Sequence, residues 1–357
     1  MQKQVYFFTG ILALIFFFAN AAQAQPEGYY ETAEGLAGED LKTALHHIIN
    51  DHNEFSYTSS ATDVWDILKE TDRDPENADN VIMIYTGRSI DAVQEYNSGN
   101  GWTREHIWPQ SRGDFGTSQG AGTDAHHIRP LENSVNSTRS NRSFANCNSC
   151  VEVVFQGEST GSFYDDSNYS FEPRDEVKGD VARMIFYMAL RYEGTNGELD
   201  LELANTLFDQ GDNAPLHGKL DDLLEWNDSD PVDEFEANRN DVIHYQFQGN
   251  RNPFIDHPEL ARFIWGESEG ELWGGEVVST LHLENRESGK LFPNPVDYQM
   301  RYTETYSRME IFNQTGQIIG EHPHRESIDL SYLDSGVYYC RVYAADGTFS
   351  MHRIVKL

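Results

Sequence analysis

Three stretches carry most of the reactive side chains in this chain: Trp102-Thr103-Arg104-Glu105-His106-Ile107-Trp108-Pro109-Gln110-Ser111, then Thr123-Asp124-Ala125-His126-His127-Ile128-Arg129-Pro130, then Ser134-Val135-Asn136-Ser137-Thr138-Arg139-Ser140-Asn141-Arg142. The whole chain has 357 residues and a net charge of −33. Residues 101–150 depart from that balance, with five arginines against four acidic residues. Such a window is where a phosphate site would be expected in an acidic protein. Elsewhere the charge argues against general attraction to DNA or to anionic membranes.

Hydrolysis of a phosphodiester needs a base to deprotonate water and a cation to neutralise charge on the phosphate and leaving oxygen. A neutral histidine suits the first task near pH 7, and a hard cation on oxygen ligands the second. His106 offers the base, and Glu105 and Asn136 offer oxygens. Adjacent residues on a regular strand face opposite ways, so Glu105 and His106 can share a site only at a strand end, bulge or twist. The spacing predicts a strand that ends near Trp108-Pro109, a second strand near Ile128, and a short helix that brings Asn136 back to the pair.

Glu105-His106 followed by Trp-Pro, the Asp124–His127 block and Val135-Asn136-x-x-Arg139-Ser140-Asn141 resemble the endonuclease I family of secreted bacterial nucleases. Supporting similarity runs through Lys178–Arg183 and Gln248–Asp256, over roughly residues 35–266. These enzymes belong to the His-metal finger group. The resemblance implies an α+β fold, mostly helical around a ββα-metal core. It further implies His106 as general base and Arg139 as a catalytic arginine. Glu105 and Asn136 would be ligands of one Mg²⁺, with Ca²⁺ or Mn²⁺ as alternatives, and the products would carry 5′ phosphates. His127, Arg129, Arg104 and Asn141 are expected behind those groups or on the phosphate. The substrate is DNA, with RNA also open, and no recognition-helix motif points to sequence specificity.

Cys147-Asn148-Ser149-Cys150 is compatible with a local disulfide in an oxidising compartment, or with half a zinc site. A secreted zinc hydrolase using His126, His127, Cys147 and Cys150 is therefore one alternative, although the chain has no His-Glu-x-x-His run. A non-catalytic surface binding module is the other.

Lys3, the apolar run from Val5 to about Ala19 and Ala22-Gln23-Ala24 read as a signal peptide over residues 1–24, too short for a membrane span. Residues 25–267 then form the nuclease domain and 268–290, rich in Gly, Glu and Ser, a linker. Within the domain, apolar spacing predicts helices around Leu41–Ile49, Val64–Leu68, Val177–Met188 and Leu220–Leu224, and a final one from Pro258 to Phe263. Asp256-His257 reads as its cap. Val81–Tyr85 reads as a buried strand. From 291 the pattern changes to period two, which predicts a small all-β sandwich over 291–357. Leu291-Phe292-Pro293-Asn294-Pro295-Val296, Gly336-Val337-Tyr338-Tyr339 and the ending Arg353-Ile354-Val355-Lys356-Leu357 resemble a C-terminal sorting domain of the type IX secretion system. That resemblance implies export across an outer membrane by the type IX machinery, without stable membrane insertion.

Overall fold

The computed structural model describes residues 25–147, 149–274, 290–313, 318–344 and 349–357. The signal-peptide stretch 1–24 and most of the linker 268–290 lie outside the described residues. The chain divides into two compact units, Met1–Glu276 and Val277–Leu357.

In the first unit, α1 (Gly38–Ile49) buries Leu41, Leu45 and Ile49, one stripe at a spacing of four. The next helix, α2 (Val64–Thr71), starts at Asp63, whose side chain accepts from Trp65 N and Asp66 N, while Asp66 answers as the reciprocal cap. The strand β1 (Trp102–His106) pairs antiparallel with β2 (Ile128–Glu132), with Glu105 opposite Arg129 and His106 opposite Ile128. The helix α3 (Asn133–Arg139) follows β2 directly. Behind them runs α4 (Lys178–Arg191), in which every residue from Gly179 to Arg191 is buried.

Full burial of α4 forces its charged residues to find partners. Arg183 forks onto Glu236 at 2.7 and 2.6 Å, and Arg191 pairs with Glu198 at 2.8 Å. Asp180 accepts from Arg129 at 3.1 Å. The periodicity of Val177, Val181, Met184, Ile185 and Met188 locates this helix, but not its encirclement by other elements.

The described residues have mixed content, 29% helical and 27% in strands with the all-β second unit included, which does not confirm a mostly helical nuclease domain. The difference comes from short pairs whose patterning spans too few residues to register, such as Val151–Phe155 with Glu158–Asp165. The strand expected at 81–85 is observed at Asn77–Ile82. Met83, Ile84 and Tyr85 are fully buried but leave the strand for a turn closed by Gly87 N to Met83 O. Ile84 N reaches Pro130 O, which ties this turn to β2.

At the far end, the helix entered at a proline is Pro253–Asp256, and the last one is Leu260–Trp265. Asp256 does not cap it; this carboxylate accepts from Arg251 Nε and Nη2, both at 2.7 Å, and from Tyr30 at 2.6 Å. A nearby buried guanidinium outcompetes an exposed helix end. Residues 268–274 pack on this unit through Trp273, whose N donates to Leu36 O and whose Nε1 donates to Glu259.

Several histidines in this unit are buried, and three of them, His126, His127 and His217, are held neutral outside the cavity described below. Burial pushes His126 down to about 3, His127 down to about 4 and His217 well below its usual range. The unfolded chain takes up protons at these groups below about pH 6.5, whereas the folded chain does not, so their stability contribution is intact above that pH and lost as pH falls. Each costs about 1.4 kcal/mol per pH unit in that window, or ~4 kcal/mol for three. The urea midpoint should drop steeply between pH 6.5 and 4.5; a flat profile would place these imidazoles in contact with water.

The second unit is all β among its described residues. Leu291–Phe292, Gln299–Tyr302 and Ile328–Asp329 form one sheet; a second runs in the order Ile318–Pro323, Arg308–Phe312, Gly336–Tyr343, Phe349–Lys356. Val296, Met300, Met309, Ile311, Cys340, Val342 and Ile354 share one core. Cys340 is free and buried.

Candidate active site

Glu105, His106 and Asn136 line one cavity of about 410 Å³, together with Arg104, Pro109, Gln110, Ser111, Ser140, Asn141 and Gln210. Glu105 and His106 both reach it because β1 stops at His106. The chain there bends into a turn closed by Arg112 N to Pro109 O, and Trp108 Nε1 donates to Arg112 O at 2.9 Å.

The His106 ring is 6% exposed. Its Nε2 lies 3.0 Å from Gly122 O. A carbonyl only accepts, so Nε2 carries the proton and Nδ1 keeps the lone pair. Gln110 Nε2 donates to that Nδ1 at 2.9 Å. Burial, reinforced by the neighbouring His127, pushes the ring down to about 3, so it is neutral at physiological pH. Tyr57 stacks on one face, with centroids 5.6 Å apart. Gly122 has no room for a side chain: a Cβ would stand 2.5 Å from Ser118 O and 2.7 Å from Gly116 O.

Glu105 is buried and bonded on Oε1 alone, by Tyr85 OH at 3.0 Å and by an ion pair with Arg139 Nε at 3.0 Å. Burial outweighs both contacts and lifts its carboxyl to about 7. A further positive charge at Oε2 would return it to the ionised form. The Asn136 amide has no protein partner among the described residues. Thus one carboxylate oxygen and one amide oxygen remain free at the same cavity. No cluster of three or more His, Cys, Asp or Glu suited to a metal occurs among the described residues. A site of one carboxylate and one amide fits a Mg²⁺-like ion, which keeps several waters and takes substrate oxygens.

The arginines depart from expectation. Arg139 is fully buried and does not line the cavity; its Nη1 donates to Ser140 O at 2.8 Å and its Nη2 to Ile107 O at 2.6 Å. In this structure it contacts Glu105 rather than the cavity. Arg129 is likewise buried away from the cavity, between Asp72 and Asp180. Arg112 donates to backbone carbonyls of residues 208–212, and Arg142 to Thr138 O and Asp166. Among the described arginines only Arg104 borders the cavity, and its guanidinium lies 3.3 Å from the Tyr57 ring centroid and 4.0 Å from that of Trp65. The excess of cations in residues 101–150 therefore holds loops together.

His127 sits beside His106, their rings 5.4 Å apart, with its Nε2 donating to Ala121 O at 2.7 Å. Asn141 borders the cavity. His126, His127, Cys147 and Cys150 do not assemble a zinc centre. Cys147 and Cys150 are joined in a disulfide, and His126 Nε2 bonds to Asn250 O at 3.3 Å. Sequence reasoning missed Tyr85, Gly122 and Gln110 as supports. Tyr85 ends an apolar run, and Gly122 acts through its backbone, so neither has a side-chain signature; Gln110 lay within the quoted motif.

A neutral imidazole beside free oxygen ligands in an open cavity is the equipment of a metal-dependent phosphodiesterase. Residues 37–259 match the family model for Endonuclease I, and residues 290–356 that for a secretion system C-terminal sorting domain. The chain belongs to the endonuclease I family, whose members are generally divalent-metal dependent. It is 51% identical over 247 residues to an extracellular ribonuclease of Bacillus subtilis, covering 69% of this chain and 81% of that one. It is also 51% identical over 242 residues to an extracellular ribonuclease of Bacillus amyloliquefaciens, covering 68% and 79%. A likeness to the solved structure of PorZ from Porphyromonas gingivalis covers 24% of this chain and 13% of that one at a TM-score of 0.18, too low to inform the fold. The protein is a nuclease, secreted or displayed at the cell surface, with a type IX sorting tail. No helix among the described residues is long and apolar enough to cross a membrane.

Proposed function

We propose that this protein hydrolyses RNA and DNA phosphodiesters without sequence specificity, using His106 Nδ1 as the base and Glu105 and Asn136 as the protein ligands of one Mg²⁺. β1, β2 and α3 are then the ββα core of a His-metal finger. The observation that carries the reading is the meeting of these three side chains at one cavity. The cation, when bound, neutralises charge on the scissile phosphate and leaving oxygen. Gly122 O holds the His106 proton on Nε2, so Nδ1 can take one from water once Gln110 withdraws its amide. Arg139 and Tyr85 hold Glu105 Oε1 and turn Oε2 outward. A water nucleophile needs no 2′-hydroxyl, so DNA is cut as well as RNA; the relatives named extracellular ribonuclease support RNA as a substrate.

Chelation should abolish cleavage, and products should end in 5′ phosphate rather than 2′,3′-cyclic phosphate. Cyclic ends would mean that ribose, not water, attacks. Asn136→Ala should raise the half-saturating Mg²⁺ concentration about 10–100-fold, since ligand-sphere losses are of that order or larger. An unchanged requirement would remove Asn136 from the ligand set.

A further inference from the structure

The cavity that Glu105 and His106 line also carries neutral groups, among them the hydroxyls of Ser111 and Ser140. Asn141 Nδ2 donates to Ser111 Oγ at 2.9 Å and to Gln210 O at 3.0 Å. Tyr169 OH donates to Asn141 Oδ1 at 2.8 Å and stands 3.0 Å from Ser140 Oγ. A phenol has one proton, and the shorter bond to Asn141 takes it. Ser140 must then donate to Tyr169, which leaves the Ser140 lone pairs free to accept. Ser111 already accepts from Asn141, which leaves its own O–H free to donate. The wall thus offers one donor and one acceptor. Ser140 is held there at φ 52, left-handed backbone that costs a non-glycine residue about 1 kcal/mol or more.

A phosphate oxygen only accepts, so in this bonding pattern it uses the Ser111 donor alone and leaves the Ser140 acceptor unmatched. A hydroxyl both donates and accepts, and matches this pair. Among the described residues no guanidinium bonds the two hydroxyls; Arg139 and Arg112 reach this wall only through the Ser140 and Asn141 carbonyls, at 2.8 and 3.3 Å. Residues 25–276 carry 17 Lys and Arg against 49 Asp and Glu, so general attraction to the phosphate backbone cannot substitute for local contacts.

We propose that Ser111 and Ser140, braced by Asn141 and Tyr169, form a subsite for the ribose 2′-hydroxyl of a nucleotide beside the scissile phosphate, and make the enzyme prefer RNA. The proposal rests on reading the cavity as the nuclease centre. The 2′-hydroxyl is the group that distinguishes the two nucleic acids at a given position.

The test compares kcat/KM on 12-nucleotide RNA and DNA of the same sequence, and on RNA with one 2′-deoxy residue moved through it. Two neutral hydrogen bonds together favour RNA by roughly tenfold or more. One deoxy position should carry most of that loss. Ser111→Ala and Ser140→Gly should each cut the RNA-to-DNA ratio several-fold. In a His106→Ala background, anisotropy with labelled RNA and DNA trinucleotides in Mg²⁺ should show the same preference, reduced by Ser111→Ala. Equal rates on RNA and DNA, or a ratio unmoved by both serine variants, would overturn the subsite. Wild-type turnover in His106→Ala would instead refute the catalytic base and leave the subsite measurements standing.

Discussion

His106→Ala is expected to lower kcat on RNA and DNA by about 10²–10⁴-fold, the usual contribution of a positioned general base. The Mg²⁺ requirement should stay near that of the wild type, because the ring is not among the proposed ligands. The ring packs between Tyr57, Phe115 and His127, so its removal leaves a hole and lowers stability by a further few kcal/mol at most. Added imidazole should enter that hole and restore part of the rate, which separates a missing base from a damaged fold. Circular dichroism and a metal titration on the same sample complete the check. Activity within threefold of wild type would exclude this imidazole as the base.

Arg139→Ala should destabilise the N-terminal unit by about 3–5 kcal/mol, because it leaves a buried carboxylate without its cation. Two nitrogens of the guanidinium donate to Ser140 O and Ile107 O, and the third, Nε, forms the ion pair with Glu105 Oε1. Arg139→Lys should rescue little, since a single ammonium cannot reproduce the fork. Urea unfolding at pH 7.5 measures both. A loss below 1 kcal/mol in the alanine variant would mean that the Glu105 pair contributes nothing net.

The order Glu105-His106, Asn136 was legible because each side chain has one distinctive chemistry and the intervening spacing allows a strand, a return strand and a short helix. The meaning of the arginines was not. Arg129 and Arg139 carry the charge expected of phosphate ligands, yet their partners Asp72, Asp180 and Glu105 come from positions up to 57 residues away in sequence. A guanidinium bonds whichever carboxylate the fold brings nearest, and local composition does not encode that neighbour. The same holds for His127, which a motif alone cannot divide between ligand and packing.

By itself, the sequence determined the two-part organisation, the change of period near residue 291, and the identity of the three side chains proposed to do the chemistry. These depend on periodicity and on residue type, which are local properties. Tertiary structure alone decided which nitrogen of His106 keeps its proton, which oxygen of Glu105 stays free, and which arginines reach the cavity. Those outcomes rest on contacts made across the fold, by Gly122 O to His106, by Tyr85 and Arg139 to Glu105, and by Asp72 and Asp180 to Arg129, between groups whose positions emerge only when the core is packed.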